Sequence, residues 1–526
     1  EGREVIELMQ RFELDADMAY VLSGGNQLLG DKNSRPYLVD DAGTQRLLKL
    51  MTKPYDVFFF TNTTMDTLPE VVQEVIRSQI RAGAGIVLIG DKATLSFTEA
   101  QAVESMNSTT TGTFYTIAKG RGVIFPTRPK LEYALGWETS LDYQMAEQGQ
   151  ALLWSAHKEP KINLGITFST ASVARSALSE QTVTISWDKL LLGSELIVEA
   201  RRWDGVSQEL GRLSLSKDMK TTLDLPLLSA GNYHINAIVK TVRAKQSWVS
   251  ASFEVTSPTQ VTEVALDKKW AERGETLKGN VVCAGLQDKQ QLLVELVDVH
   301  GRVLALKTLD PKASTPFEFT IAAWMPMLLR VQATVLEGKN EVTSSYSYLN
   351  ITTRHQNQFN FLMWTGPHGD LAPYAYKSMA KHGVTTLLQG GNPPLSLAAS
   401  NISYVPYATS YRASSHNTTG MLDKNGILKS GCTHDPAVVK KWVDDTVERY
   451  QDARGHGVTA YSLGDENAVR GSCLSPYCLT AYQNYLNDMY TTIAALNKEW
   501  DTDYASFEAI ELLEDTQLPN DDAPKW

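Results

Sequence analysis

The chain has 526 residues, too many for one hydrophobic core, and that length points to three or four domains. With 43% hydrophobic and 21% charged residues and no apolar run of about 18, it reads as a globular chain without a membrane-spanning helix. A net charge of -11 without a visible Lys/Arg cluster argues against a nucleic-acid partner, and a neutral or weakly polar ligand fits better.

The chain opens on an amphipathic helix carrying Val5, Leu8, Met9 and Phe12. Neither an initiator Met nor a signal pattern precedes it, so the N-terminus is expected to be cut short. A strand is predicted over residues 19–22, then a helix ending before Lys53-Pro54 and the buried strand DVFFF. After Pro69, EVVQEVIRSQIRAGAG predicts a helix stopped by Gly83 and Gly85, which feeds the strand IVLIG. Alternation of this kind over residues 1–158 predicts a doubly wound α/β domain, a mostly parallel sheet with helices on both faces.

From about Ile162 the pattern changes to period two: TVTISW, ELIVEARRW, YHINAIVKTV and SWVSASFEV, with Gly193, Gly205 and Gly231-Asn232 at turns. It stops at Ser257-Pro258 and resumes with GETLKGNVVCAG, QQLLVELVDVHG, RVLALKTL, LLRVQATVL and SSYSYLNI. Two tandem Ig-like β-sandwiches are expected, over residues 159–257 and 258–355.

At Gln358 α/β rhythm returns. The strand FNFLMW, the helix DLAPYAYKSMAKHG, the strands VTTLLQ and SYVPYAT and the helix DPAVVKKWVDDTVERYQDARG follow in turn. That last helix carries its own end signals: Asp435 as N-cap, Pro436 at the first position, a stripe of Val439, Trp442, Val443, Val447 and Tyr450, and Gly455 as stop. The strand VTAYSL then runs into GDEN, ahead of one long helix bearing Tyr482, Leu486, Met489, Tyr490 and Ile493. Four βα units predict the first half of a (β/α)8 TIM barrel over residues 356–526, since a complete barrel takes about 250 residues.

Barrel chemistry sits at the C-terminal ends of strands, where Asp465 and Glu466 stand. Glycoside hydrolysis needs two carboxyl groups, one of them a proton donor, and a strand-end Glu suits that role. On position alone, a carboxylate that caps the next helix or pairs with Arg470 is the better account of Glu466, and it is a family resemblance that turns the reading towards catalysis. Trp364, Gln389, Asn392, Tyr411 and Arg412 also fall at strand ends, where rings stack on sugar faces and amides or guanidinium groups read hydroxyls. Trp364 and Tyr411 serve equally well as core or rim aromatics. Asn62, Asn107, Asn350, Asn401 and Asn417 open N-x-S/T triplets, which arise freely by chance.

The stretch YSLGDENAVRGSCLSPYCLTAYQNYLNDMYTTIAALNKEW, ending in Leu496, Asn497 and Trp500, resembles the acid/base region of glycoside hydrolase family 42 β-galactosidases. That resemblance implies a retaining β-galactosidase-like glycosidase acting on oligo- or polysaccharides without an organic cofactor. Glu466 would be the catalytic acid/base, Asp465 and Asn467 substrate contacts, and the nucleophile is expected beyond residue 526. Asp465 stands where the family has Asn, so when ionised it accepts but does not donate a hydrogen bond. The segment from Tyr55 to Asp91 and the stretch ALLWSAHKEP resemble that family's trimerisation domain, a relative of class I glutamine amidotransferases, which implies a homo-oligomer through the N-terminal domain. No Cys precedes Cys283, so amidotransferase chemistry has no nucleophile there. The barrel, which comes first in the family, comes last here. Family members hold a structural zinc on one upstream Cys and a Cys-x-Cys-x-x-Cys turn. Cys432, Cys473 and Cys478 resemble three of those ligands, Ser475 takes the place of the fourth, and His434 is a substitute candidate. A disulfide or free buried thiols are the other readings. The expected location is periplasmic or extracellular. The rival reading is a non-catalytic carbohydrate-binding or scaffold protein with a degenerate barrel.

Overall fold

The structure, a computed structural model, describes residues 3–19, 41–91, 93–103, 111–126, 131–355, 358–369, 371–407, 423–427, 431–462 and 473–513. It divides into two compact units, Glu1–Gln260 with Leu336–Thr343, and Val261–Val335 with Ser344–Trp526.

The first unit begins with helices α1 (Arg3–Arg11), α2 (Asp41–Leu50), α3 (Glu70–Ala82) and α4 (Trp137–Ser155) around a five-stranded sheet. Its strands are β1 (Val57–Thr61), β2 (Gly85–Ile89), β3 (Gln101–Val103), β4 (Thr113–Ile117) and β5 (Gly120–Phe125), in the order β1-β2-β5-β4-β3. β1, β2 and β5 are mutually parallel, whereas β3 and β4 return antiparallel. One face packs Phe58, Phe60, Ile86 and Leu88 against Leu47 of α2 and Val72, Ile76 and Ile80 of α3. The other packs Val87, Ile89, Val123 and Phe125 against Ala151 and Trp154 of α4. Helices therefore cover both faces, as the alternation predicts. Gly83 ends α3 at φ 129°, a conformation that needs no Cβ. Of the predicted strand at 19–22, Ala19 is irregular and the rest lies outside the described residues.

α4 is buried on two sides. Its Tyr143 ring stacks on His234 at 3.7 Å between centroids and its hydroxyl donates to Asn236 Oδ1 at 3.0 Å, both on the first sandwich. That sandwich contains β6 (Leu164–Phe168), β7 (Ser172–Ala174), β8 (Thr182–Trp187), β9 (Glu195–Arg202), β10 (Ser207–Ser214), β11 (Lys220–Asp224), β12 (Gly231–Lys240) and β13 (Lys245–Thr256). A β10-β9-β12-β13-β7 sheet faces a β11-β8-β6 sheet. Val183, Ile185, Leu196, Val198, Ile235 and Val239 fill the space between them and are buried, each contributing roughly 1.5–3 kcal/mol of hydrophobic stabilisation.

The second sandwich repeats this plan. Its strands are β14 (Gln260–Leu266), β15 (Trp270–Glu272), β16 (Thr276–Ala284), β17 (Gln290–Asp298), β18 (Val303–Leu309), β19 (Ser314–Thr320), β20 (Leu328–Glu337) and β21 (Asn340–Thr352), ordered β14-β16-β19 and β15-β21-β20-β17-β18. In both sandwiches a three-residue strand pairs parallel to the last long one, β7 with β13 and β15 with β21. Alternation of exposed and buried residues along β16 bears out the period-two reading of GETLKGNVVCAG, and β19, which was not among the expected strands, shows the same pattern.

Beyond it, β22 (Leu362–Trp364), β23 (Thr386–Gln389) and β24 (Ser403–Pro406) form a parallel sheet in chain order, connected through α5 (Ala372–Lys381) and α6 (Leu395–Ala399). A single parallel bridge, Tyr407 to Ser462, extends it at the position of the predicted strand VTAYSL. Helices α7 (Pro436–Tyr450), α8 (Pro476–Tyr490) and α9 (Ile493–Trp500) follow. Tyr376, Leu387, Leu397, Ile402, Tyr404, Tyr450 and Ala453 make the local core.

Three expectations need correction. The predicted strand FNFLMW is regular only over its last three residues, with Phe359 86% exposed. The stripe on α7 has the right period and Asp435 does cap the helix, accepting from Ala437 N at 2.9 Å, but Val443 and Val447 stay exposed and only Tyr450 is buried. Period identifies an apolar face; whether anything covers it depends on distant residues. The single long helix is two. Thr491 adopts φ 60°, which a right-handed helix excludes, and Thr492 then caps α9 by accepting from Ala495 N.

Candidate active site

The strand ends of the parallel sheet gather several of the predicted residues. Trp364 closes β22 and remains 57% exposed, with the ring of Tyr407 5.6 Å away between centroids. The next residue, Thr365, sits at φ 68°, a strained position for a β-branched side chain, and its N–H donates to Leu388 O at 2.9 Å.

Gln389 ends β23. Its side-chain Oε1 is buried without a hydrogen-bond donor among the described residues and lies beside Gly366, where a Cβ would approach it to 2.6 Å. Its backbone carbonyl accepts from Tyr407 N at 2.9 Å and from the Tyr404 hydroxyl at 2.7 Å, and the same hydroxyl also donates to Gly391 O. Burial pushes the Tyr404 phenol well above its ordinary pKa, so it stays protonated and keeps the turn after β23 in place. Asn392 follows on that turn and is exposed. Trp364 and Gln389 therefore share one rim with Tyr407, an aromatic that sequence reasoning missed because it lies just inside the strand-end segment SYVPYAT. Tyr411, Arg412, Asp465, Glu466 and Asn467 lie outside the described residues.

The rim is anchored to the second sandwich through the turn after α7. His456 is buried, and its Nε2 lies 2.9 Å from Asn350 Nδ2 on β21. Desolvation pushes its pKa down to about 4, so the imidazole is neutral and its Nε2 accepts from the amide. Gly457, at φ 66°, lies so close to Thr353 that a Cβ would collide with its carbonyl oxygen. Arg454 stacks over Trp270, and Asn350, the start of a sequon, is itself buried. These contacts hold residues 454–458, the approach to the predicted fourth strand.

The cysteines form a second cluster. Cys432 Sγ and Cys478 Sγ are 3.3 Å apart, and Cys478 Sγ is 3.4 Å from His434 Nδ1. Buried Cys473 packs in the same group. A disulfide has its sulfurs at about 2.05 Å, so the two thiols are not bonded. In a tetrahedral zinc site the ligand edges are about 3.8 Å for two sulfurs and about 3.6 Å for sulfur and nitrogen, given the usual bond lengths. Cys432, His434 and Cys478 bring the donor types of such a site within 4.8 Å of one another, with edges somewhat shorter than those values.

α8 and α9 explain the motif at the end of the resembling stretch. Leu496 is buried with Leu486 and Ile510. Asn497 clasps the following turn, accepting from Tyr504 N at 3.0 Å and donating to Tyr504 O at 2.8 Å. Trp500 Nε1 donates to the Tyr490 hydroxyl at 3.0 Å. All three residues have structural work to do at the junction of two helices.

With this geometry in place, the glycoside hydrolase family 42 model, described as Beta-galactosidase, matches residues 415–522. The match spans the cysteine cluster, the predicted fourth strand and α7 to α9. No curated protein matches the chain significantly. Solved structures that overlap it include a tetra-tandem repeat from the extending region of a large adhesion protein (16% identity, TM-score 0.17, 36% of this chain and 49% of that one). Others are Escherichia coli alpha-2-macroglobulin activated by porcine elastase (15%, 0.21, 37% and 22%) and Parabacteroides merdae beta-glucuronidase (11%, 0.22, 61% and 48%). The chain spans about half or less of each of these, and TM-scores so low assign neither fold nor function. Among the described residues no helix is long and apolar enough to cross a membrane.

Proposed function

We propose that this chain belongs to a retaining glycoside hydrolase of the β-galactosidase kind, with Glu466 as its acid/base. The observation that carries this reading is the family-model match over residues 415–522, a window that includes Glu466 at the end of a predicted strand. Glu466 protonates the leaving oxygen and then, as carboxylate, activates the water that releases the sugar. The nucleophile is a second carboxylate about 5–5.5 Å away, supplied from a later barrel strand. Asp465 and Asn467 contact sugar hydroxyls beside it. Trp364, Gln389 and Asn392, with Tyr411 and Arg412, line the rest of the sugar site. The exposed Trp364 ring supports that assignment, since it offers a stacking face at a strand end.

The sheet of β22 to β24 supports a barrel reading, since its strands are parallel, lie in chain order and are joined by helices. The N-terminal α/β layer then has a structural role, as the amidotransferase-like trimerisation domain of a homo-oligomer. An enzyme of this class works on extracellular or periplasmic glycans.

Incubating the full-length protein with aryl β-galactosides and β-linked galacto-oligosaccharides, with the anomer of the first product followed by NMR, tests the reading. Hydrolysis with retention is expected. Saturable sugar binding with no turnover would instead identify a carbohydrate-binding scaffold and overturn the proposal.

A further inference from the structure

The second sandwich holds a cleft that no step of the glycosidase reading uses. Its volume is about 560 Å³, within the usual range of small-molecule sites, and it lies where β18 and β19, edge strands of the two sheets, meet residues of β14 and β16. The floor is apolar. Phe317 and Leu309 line it, and Gly279 adds bare backbone, since a Cβ there would lie 2.5 Å from both Phe317 Cζ and Ala265 O. A glycine inside a strand marks such a close approach, and here it lets the Phe317 ring settle against β16.

The rim is polar and carries both signs of charge. Asp267, Lys278, Asn280 and Glu318 are exposed, and Lys307 is half-buried with its ammonium 5.7 Å from the centre of the Phe319 ring. Asp267 is held by backbone: its N–H donates to Lys278 O at 3.0 Å and its Oδ1 accepts from Lys278 N at 3.2 Å. Lys278 and Glu318 stand opposite each other in the register of β16 and β19, yet among the described residues neither they nor Lys307 form an ion pair. Two ammonium groups and two carboxylates leave the lining without net charge, so an ion of either sign gains little there. Hydroxyl groups gain more, because carboxylates accept from them, ammonium groups donate to them and the Asn280 amide does both.

We propose that this cleft binds a segment of an uncharged glycan, with Asn280, Lys307 and Glu318 reading hydroxyls above the apolar floor of Phe317 and Leu309. The site is distinct from the strand ends of β22 to β24, and it stands whether or not the chain hydrolyses glycosides. A sugar offers both of the surfaces the cleft is built for, a C–H face for the floor and hydroxyls for the rim. A peptide strand fits less well. Pro316 removes a backbone donor from β19 and Lys307 places a charge on β18, two features that guard sheet edges against the addition of another strand.

Calorimetric titration of the full chain tests this, in a Glu466→Gln background that keeps the probes intact. The probes are neutral β-galacto-oligosaccharides, neutral β-gluco-oligosaccharides and, as a charged control, oligogalacturonates. Saturable binding of at least one neutral series is expected. Adding Asn280→Ala and Glu318→Ala, both at exposed positions, should weaken that binding by about tenfold or more, as the loss of two hydrogen-bonding groups implies, with circular dichroism unchanged. Trp364→Ala should leave the cleft's binding as it was. Binding lost on Trp364→Ala but indifferent to the Asn280 and Glu318 changes would assign the sugar to the strand ends of the parallel sheet and overturn the proposal. A preference for the oligogalacturonates, or no binding of any probe, would overturn it as well.

Discussion

The second sandwich and the parallel sheet that follows it lie in one compact unit yet obey different rules. Along β17 and β19, Leu292, Val294, Leu296, Phe317 and Phe319 are buried between the two sheets of one sandwich. β22 is exposed along its whole length and leaves Leu362, Met363 and Trp364 accessible, although its neighbours β23 and β24 are well buried. An antiparallel sandwich closes its core locally, whereas a parallel strand needs neighbours and helices delivered from elsewhere in the chain. The rim of Trp364, Gln389 and Tyr407 lies at the exposed end of the second kind of structure, and residues 454–458 tie that structure to the first.

That contrast can be broken at the joint between the two. Gly457→Ala puts a Cβ into the carbonyl of Thr353 at a positive φ, and it should destabilise this unit by about 4 kcal/mol or prevent its folding. Denaturant unfolding followed by circular dichroism measures the loss, and a change under about 1 kcal/mol would mean that the close approach is not needed. Next in size, Leu296→Ala in the sandwich core should cost about 2–5 kcal/mol.

The buried imidazole adds a pH dependence to the same joint. His456 has a folded pKa near 4, below its ordinary value of 6.5, so between those limits the unfolded chain binds the extra proton. Its contribution is complete above about pH 7 and is lost as pH falls through 6.5 towards 4. Asp452, whose charge acts the other way, only partly offsets the desolvation. Between pH 7 and pH 5 the loss should be about 2 kcal/mol, and His456→Gln should remove that part of the slope. Parallel urea titrations of the two chains at both pH values report the difference. The smallest effect is expected at the exposed strand, where Leu362→Ala should cost less than about 1 kcal/mol, because nothing among the described residues buries it fully.

Much of this architecture is readable from local patterns. β8, β9, β12, β16, β17 and β20 fall on segments whose alternation is enough to place them, because each has a dry face and a wet one. β10 and β11 escape because these edge strands are mostly Ser, Gln, Lys and Thr and bring only Leu210, Leu213 and Leu223 to the core, too few for a visible alternation. The break at Thr491 is a capping event inside an otherwise helical pattern, and a Thr-Thr pair signals it only weakly. At the rim, Trp364 and Gln389 follow from the rule that barrel chemistry sits at strand ends. Tyr407 and the strained Thr365 do not, since their roles depend on which strands lie side by side. The grouping of His434 with Cys432 and Cys478, by contrast, is anticipated from the sequence, and the fold adds the 3.4 Å approach of its ring to Cys478 across 44 residues of chain.

The central claim is that Glu466 is a catalytic proton donor, and the most direct measurement compares Glu466→Gln with wild type in the full-length protein on two β-galactosides, one with a good leaving group and one with a poor one. Turnover of the poor substrate should fall by about 10²–10⁴-fold, while the activated aryl galactoside, which needs little protonation, should lose much less in its first step. Equal rates for variant and wild type on both substrates would contradict the assignment of Glu466 and, with it, the glycosidase reading of this chain.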